Sequence, residues 1–146
     1  MQTYEERQAE RKQRKIEKKK AFTARLNADD LLKPGTRATV HSGSDSYPYE
    51  VVSATYFKSG KKAGLVKTVE LRSLDYVRTD KNGMSECQSY EYTSNEENGI
   101  ESFKVVWDSN NIVRFIASGT YRSCGQLVAL RPICLGYARK YWDPSF

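Results

Sequence analysis

The sequence predicts a mostly β domain that carries a basic, polar α-helix at its N-terminus. Three observations lead there. Residues 1–26 contain no Gly or Pro and consist mainly of strong helix formers. From Thr36 onward the apolar residues recur with a period of two, in short segments separated by Gly-, Asn- and Ser-containing turns. Nearly all of the net charge of +6 lies in the helical segment.

The helix is expected over residues 3–26. Glu5, Glu6 and Glu10 lie early and the Lys/Arg run lies late, which suits the helix dipole, and Glu10 stands four residues before Arg14. The apolar positions Tyr4, Ala9 and Ile16 make no continuous stripe until Phe22 and Leu26. A helix that is polar all round has nothing to bury, so only its end, from about Phe22, is expected to dock on a core. Asn27 reads as the cap of a short turn through Leu32, and Lys33-Pro34-Gly35 stops any helix. The division expected is a helical arm over 1–26 and a β-rich globular domain over 27–146.

Strands are expected at 36–41, 49–57, 65–72 and 75–78. Lys58–Lys62 forms a hairpin connection containing Gly60, and Asn82-Gly83 carries a type I′ hairpin signal that leads into a strand at 86–93. Further strands are expected at 101–107, with Phe103, Val105 and Trp107 on one face, and at 112–118, with Val113, Phe115 and Ala117 on one face. The last, 126–131, ends at Pro132. An aromatic tail of Tyr137, Tyr141, Trp142 and Phe146 follows. The first three strands, with the Pro-Gly that precedes them and their basic tight turn, resemble an SH3-like or KOW-like barrel. The expected architecture is a small, partly open barrel of that kind, or a curled antiparallel sheet, extended by C-terminal hairpins.

No stretch approaches the ~20 apolar residues that span a membrane, and no apolar region follows Met1. The sequence therefore predicts a soluble intracellular protein. Cys87, Cys124 and Cys134 are odd in number and none lies in a CxxC spacing, so buried or half-buried free thiols are expected rather than disulfides or a zinc site.

The sequence offers little catalytic chemistry. His41 is the only histidine; Ser42, Ser44 and Asp45 lie nearby, but nothing gives it a nucleophile-elbow context, and it reads as a strand-end residue. Glu86, Glu91, Glu96 and Glu97 are scattered around one hairpin, and Glu86 and Glu91 would face opposite sides of a strand. Walker A, GxGxxG and HExxH motifs are absent. A non-enzymatic protein is expected, with no catalytic residue, no metal site and no cofactor.

The arm is the sharpest feature. Residues 1–25 hold nine basic side chains against four acidic ones, whereas residues 26–146 are nearly balanced at 15 against 14. The cations Arg11, Lys12, Arg14, Lys15, Lys18, Lys19 and Lys20 form the strongest run, and Lys58, Lys61 and Lys62 cluster at a hairpin tip. Such asymmetry points to phosphate-backbone contact with nucleic acid, or to an acidic protein partner. Four interspersed Glu residues weaken the nucleic-acid reading. Tyr47, Tyr49, Tyr56, Tyr90 and Tyr92 alternate along strands; they read as core and cross-strand residues, with base stacking as the alternative.

Three segments carry a resemblance: Ser46–Val52, Asp80–Tyr90 and Tyr141–Phe146. Over about residues 33–146 the chain resembles a group of small uncharacterised proteins from tailed bacteriophages. The resemblance implies a bacterial host cytoplasm and transfers no catalytic residue. It also raises host takeover, defence inhibition or phage nucleic-acid handling; the alternatives to nucleic-acid binding are a module that inhibits or redirects a host defence or transcription protein, and a minor structural component of the virion.

Overall fold

The computed structural model of the chain describes residues 1–144. Phe146, grouped above with the aromatic tail, lies outside them. The protein is mostly β, a curled antiparallel sheet preceded by one long helix.

Helix α1 spans Tyr4–Asn27. Thr3 caps it: its hydroxyl accepts the Glu6 N–H at 3.1 Å, and the Glu6 carboxylate accepts the Thr3 N–H at 3.0 Å. This reciprocal pair satisfies donors that a helix start leaves open. Asn27 closes this helix instead of capping another turn. The strong helix formers carry the helix through to it, and Asp29 then adopts a left-handed φ of 60° that ends the run.

Six strands close into a barrel in the order β1-β2-β3-β6-β7-β8. They are β1 (Arg37–Ser42), β2 (Asp45–Tyr56), β3 (Val66–Ser73), β6 (Ile100–Trp107), β7 (Val113–Ser123) and β8 (Gln126–Leu135). Strands β4 (Asp75–Arg78) and β5 (Tyr90–Thr93) form a separate two-stranded sheet. The C-terminal hairpin β7–β8 extends the curled sheet from β6, and β8 also closes it onto β1. β8 pairs with β7 as far as Pro132, then with β1 over Ile133–Leu135. The strand therefore runs through Pro132 instead of stopping there. The missing N–H falls where the strand changes partner, beside Arg131 at a left-handed φ of 51°.

Two further departures have local causes. Residues 86–89 do not join a strand, because the Asp80 carboxylate captures their loop. It accepts the N–H groups of Ser89 (2.7 Å) and Asn82 (2.9 Å) and the Arg78 guanidinium (2.9 Å). On β7, a bulge opposite Val106/Trp107 shifts the alternation by one residue. Ile116 is thus buried, whereas Phe115 is half-buried.

The core combines barrel and helix. Phe103, Val51, Val66, Val69 and Leu71 fill the barrel, and Leu26, Leu31 and Leu32 enter from α1 and the turn after it. Trp107 meets the same cluster, with its indole N–H donating to the Val66 carbonyl at 2.8 Å. Cys87 and Cys124 are exposed, and only Cys134 is half-buried.

Leu26 is fully buried, so Leu26→Ala should destabilise the whole fold by about 2–5 kcal/mol in urea denaturation. Ile16→Ala, on the projecting part of the same helix, should change stability by no more than about 0.5 kcal/mol. Acid sensitivity provides a second check. The Arg78 guanidinium, with the Ser89 and Asn82 N–H groups, holds the Asp80 carboxyl well below the usual carboxylate range. A depressed folded pKa stabilises above the unfolded value of about 3.9, and the contribution is lost as pH falls toward the folded value. The Ser89 amide resonance should therefore hold its native position through about pH 4 and shift only well below it, as the folded carboxyl protonates. In Asp80→Asn the shift should already be present at neutral pH and the acid limb should flatten.

Candidate nucleic-acid interface

Every residue from Met1 to Ala21 is exposed, and α1 meets the barrel only at its C-terminal end. There Thr23 and Leu26 are buried and Phe22 packs against the core. Thr23 Oγ donates to the Lys19 carbonyl at 2.7 Å and accepts the Val113 N–H at 3.0 Å. At 1.5 Å rise per residue, α1 is about 36 Å long, so most of it projects as a rod.

The helix sorts its charges by face. Residues three and four apart share a face. Arg7, Arg11, Arg14 and Lys18 therefore make one row, continued by Arg25 and flanked by Lys12, Lys15 and Lys19. Glu6, Glu10, Gln13 and Glu17 make a second row on the neighbouring face. A linear count mixes the two signs, whereas the folded helix separates them. Glu5 alone among the acidic residues falls on the basic flank, near Lys12. Lys20 falls outside it, on the side of Ala9 and Ile16. Arg14 lies 4.0 Å from Glu10 at the border between the rows, an exposed pair that contributes little to stability.

The basic row also has a direction. Lys18 and Lys19 stand one turn before Phe22 and Thr23, so the flank of the basic face that holds Lys15 and Lys19 leaves the barrel on the docked side of the helix. Lys18 and Lys19 border a groove shared with β7 and β8.

The hairpin lysines behave differently from one another. Lys58 and Lys61 are exposed. The Lys62 ammonium donates to the Asp108 carbonyl at 3.1 Å and to Asn111 Oδ1 at 3.2 Å. It ties the β2–β3 hairpin to the β6–β7 turn. That turn leads into Val113, the residue that holds Thr23, so the helix root and the lysine hairpin share one end of the barrel.

The tyrosines divide between core and cross-strand roles: Tyr49 lies in the core and Tyr47 packs against it, while Tyr90 and Tyr92 meet Tyr76 across the β4–β5 pair. Only Tyr49 is buried in the core; Tyr56 and Tyr76 are exposed. Several instead surround Lys140, a buried cation whose ammonium lies 4.2 Å from the Tyr47 ring centre and 5.2 Å from that of Tyr76. Burial lowers the Lys140 pKa. The Lys140 N–H donates to the Tyr92 hydroxyl at 2.7 Å, and Arg37 covers the Tyr92 ring. These ring faces are taken by the chain's own cations, which fasten the β4–β5 sheet and the C-terminal tail to the barrel. They offer bases little to stack on.

Among the described residues no helix is long and apolar enough to cross a membrane. No family model, curated protein or solved structure matches this chain.

Proposed function

We propose that the protein binds nucleic acid by laying the basic face of α1 along the phosphate backbone. The observation that carries this reading is the sorting of Arg7, Arg11, Arg14, Lys15 and Lys18 onto one face of the helix and of Glu6, Glu10 and Glu17 onto the neighbouring face. A row of cations spaced a turn apart neutralises successive phosphates, and releasing their counterions drives binding without reading sequence. Lys58 and Lys61 add charge at the barrel end where the helix is rooted; Lys62 acts by holding that end together. Because one flank of the basic face lies on the docked side, the nucleic acid runs along the arm beside the barrel. The chemistry is non-enzymatic. The resemblance to tailed-phage proteins supports action in a bacterial host cytoplasm.

The test compares the full chain with a variant carrying Arg7, Arg11, Arg14 and Lys18 all replaced by Gln. Binding to duplex DNA and RNA is measured over a range of salt. The slope of log affinity against log salt should fall by about 3–4, one step of about 0.9 for each phosphate left without its cation. Unchanged affinity and slope would remove the reading. A stoichiometric partner captured through the same face after nuclease treatment would favour an acidic protein instead.

A further inference from the structure

One flank of the barrel has no hydrogen-bond ladder. β7 pairs with β8 only from Ala117 onward, and β8 beyond Pro132 turns to β1. Val113–Ile116 and Ile133–Leu135 therefore line the two sides of an open seam, a groove of about 330 Å³ overhung by α1. Its lining is mainly apolar: Phe22, Phe115, Ile116, Ile133 and Leu135. Its charges are all positive, from Lys18, Lys19 and Arg114, and no lining residue is acidic. An apolar slot with a cationic rim fits a ligand that has an apolar chain and an anionic head.

Cys134 lines the same groove. Its Sγ lies 3.6 Å from Nε2 of His41, and His41 Nδ1 lies 3.1 Å from Ser46 Oγ. Ser46 is buried, and its backbone makes two hydrogen bonds with Tyr141, so the hydroxyl is held in place. With Nδ1–H donating to Ser46, the Nε2 lone pair faces the thiol. This is the arrangement of nucleophile, base and orienting group that covalent chemistry uses. The chain's only histidine thus serves the one half-buried cysteine, while Cys87 and Cys124 are exposed.

We propose that Cys134 is an acyl-acceptor thiol, and that the groove receives the chain of an anionic acyl thioester of the acyl-coenzyme A class. His41 Nε2 takes the thiol proton and Cys134 Sγ attacks the acyl carbonyl carbon. The bond from that carbon to the donor sulfur breaks, and the departing thiolate recovers the proton from the imidazolium. The products are an acyl-Cys134 thioester and the free donor thiol, with no change of oxidation state.

The experiment incubates the full chain with decanoyl-coenzyme A at neutral pH and reads acylation at each cysteine by peptide mass spectrometry. Cys87 and Cys124 are controls within the same molecule. Cys134 should acylate about tenfold faster than either, despite its lower exposure. The preference should vanish in urea and narrow with acetyl-coenzyme A, whose acyl group is too short to fill the groove, and His41→Gln should slow Cys134 alone. Acylation spread evenly over the three cysteines, or favouring Cys87 and Cys124, overturns the proposal. So does a preference for Cys134 that survives in urea, because it would not come from the fold.

Discussion

The root of α1 is the interaction on which the rest of the molecule depends. Leu26 is fully buried in the barrel core, and Thr23 accepts the N–H of Val113, the first residue of β7. A buried N–H at a strand start needs a partner, and the helix supplies one. The contact fixes both the position and the rotation of the helix. Rotation is the part that matters for the proposed binding, because it decides which way the row from Arg7 to Lys18 points. A flexible basic tail would have no face at all.

The same end of the barrel is reinforced by residues far apart in sequence. Lys62 fastens the β2–β3 hairpin to the β6–β7 turn, and the Tyr56 hydroxyl donates to Asp29 at 3.1 Å just beyond the helix. The other end of β6 is handled by charge: Arg131 pairs with Glu101 at 3.2 Å and donates to the Tyr49 hydroxyl at 3.3 Å. The left-handed turn at Arg131 places that side chain and also sends β8 from β7 to β1. Barrel closure and the open seam are thus two consequences of one change of partner.

Local pattern carried the elements whose causes are local. The helix follows from composition and from the Thr3–Glu6 capping box, and most strands follow from apolar alternation. The charge faces of α1 are also written in the spacing of Arg7, Arg11, Arg14 and Lys18, although a count along the chain hides them. Pattern failed where a distant or polar contact decides the outcome. The Asn82-Gly83 signal is real as a turn, but the Asp80 carboxylate organises a wide loop around it. Pro132 would end an ordinary strand, yet here it sits at a partner switch. Lys62 resembles Lys58 and Lys61 until its contact with the 108–111 turn is seen. His41 gained a chemical context only from Cys134, 93 residues away. Lys140, which gathers the tyrosines, has no signature in its neighbours.

Two lysines two residues apart distinguish a basic face from a simple sum of charge. Lys18 lies in the basic row and Lys20 lies on the opposite side of the helix. The decisive measurement is the salt dependence of duplex binding for Lys18→Gln and Lys20→Gln in the full chain. The first should lower the slope by about 0.9 and the second should leave it nearly unchanged. Equal effects from the two substitutions would contradict binding through one face, because the arm would then act as a charged tether with no preferred side.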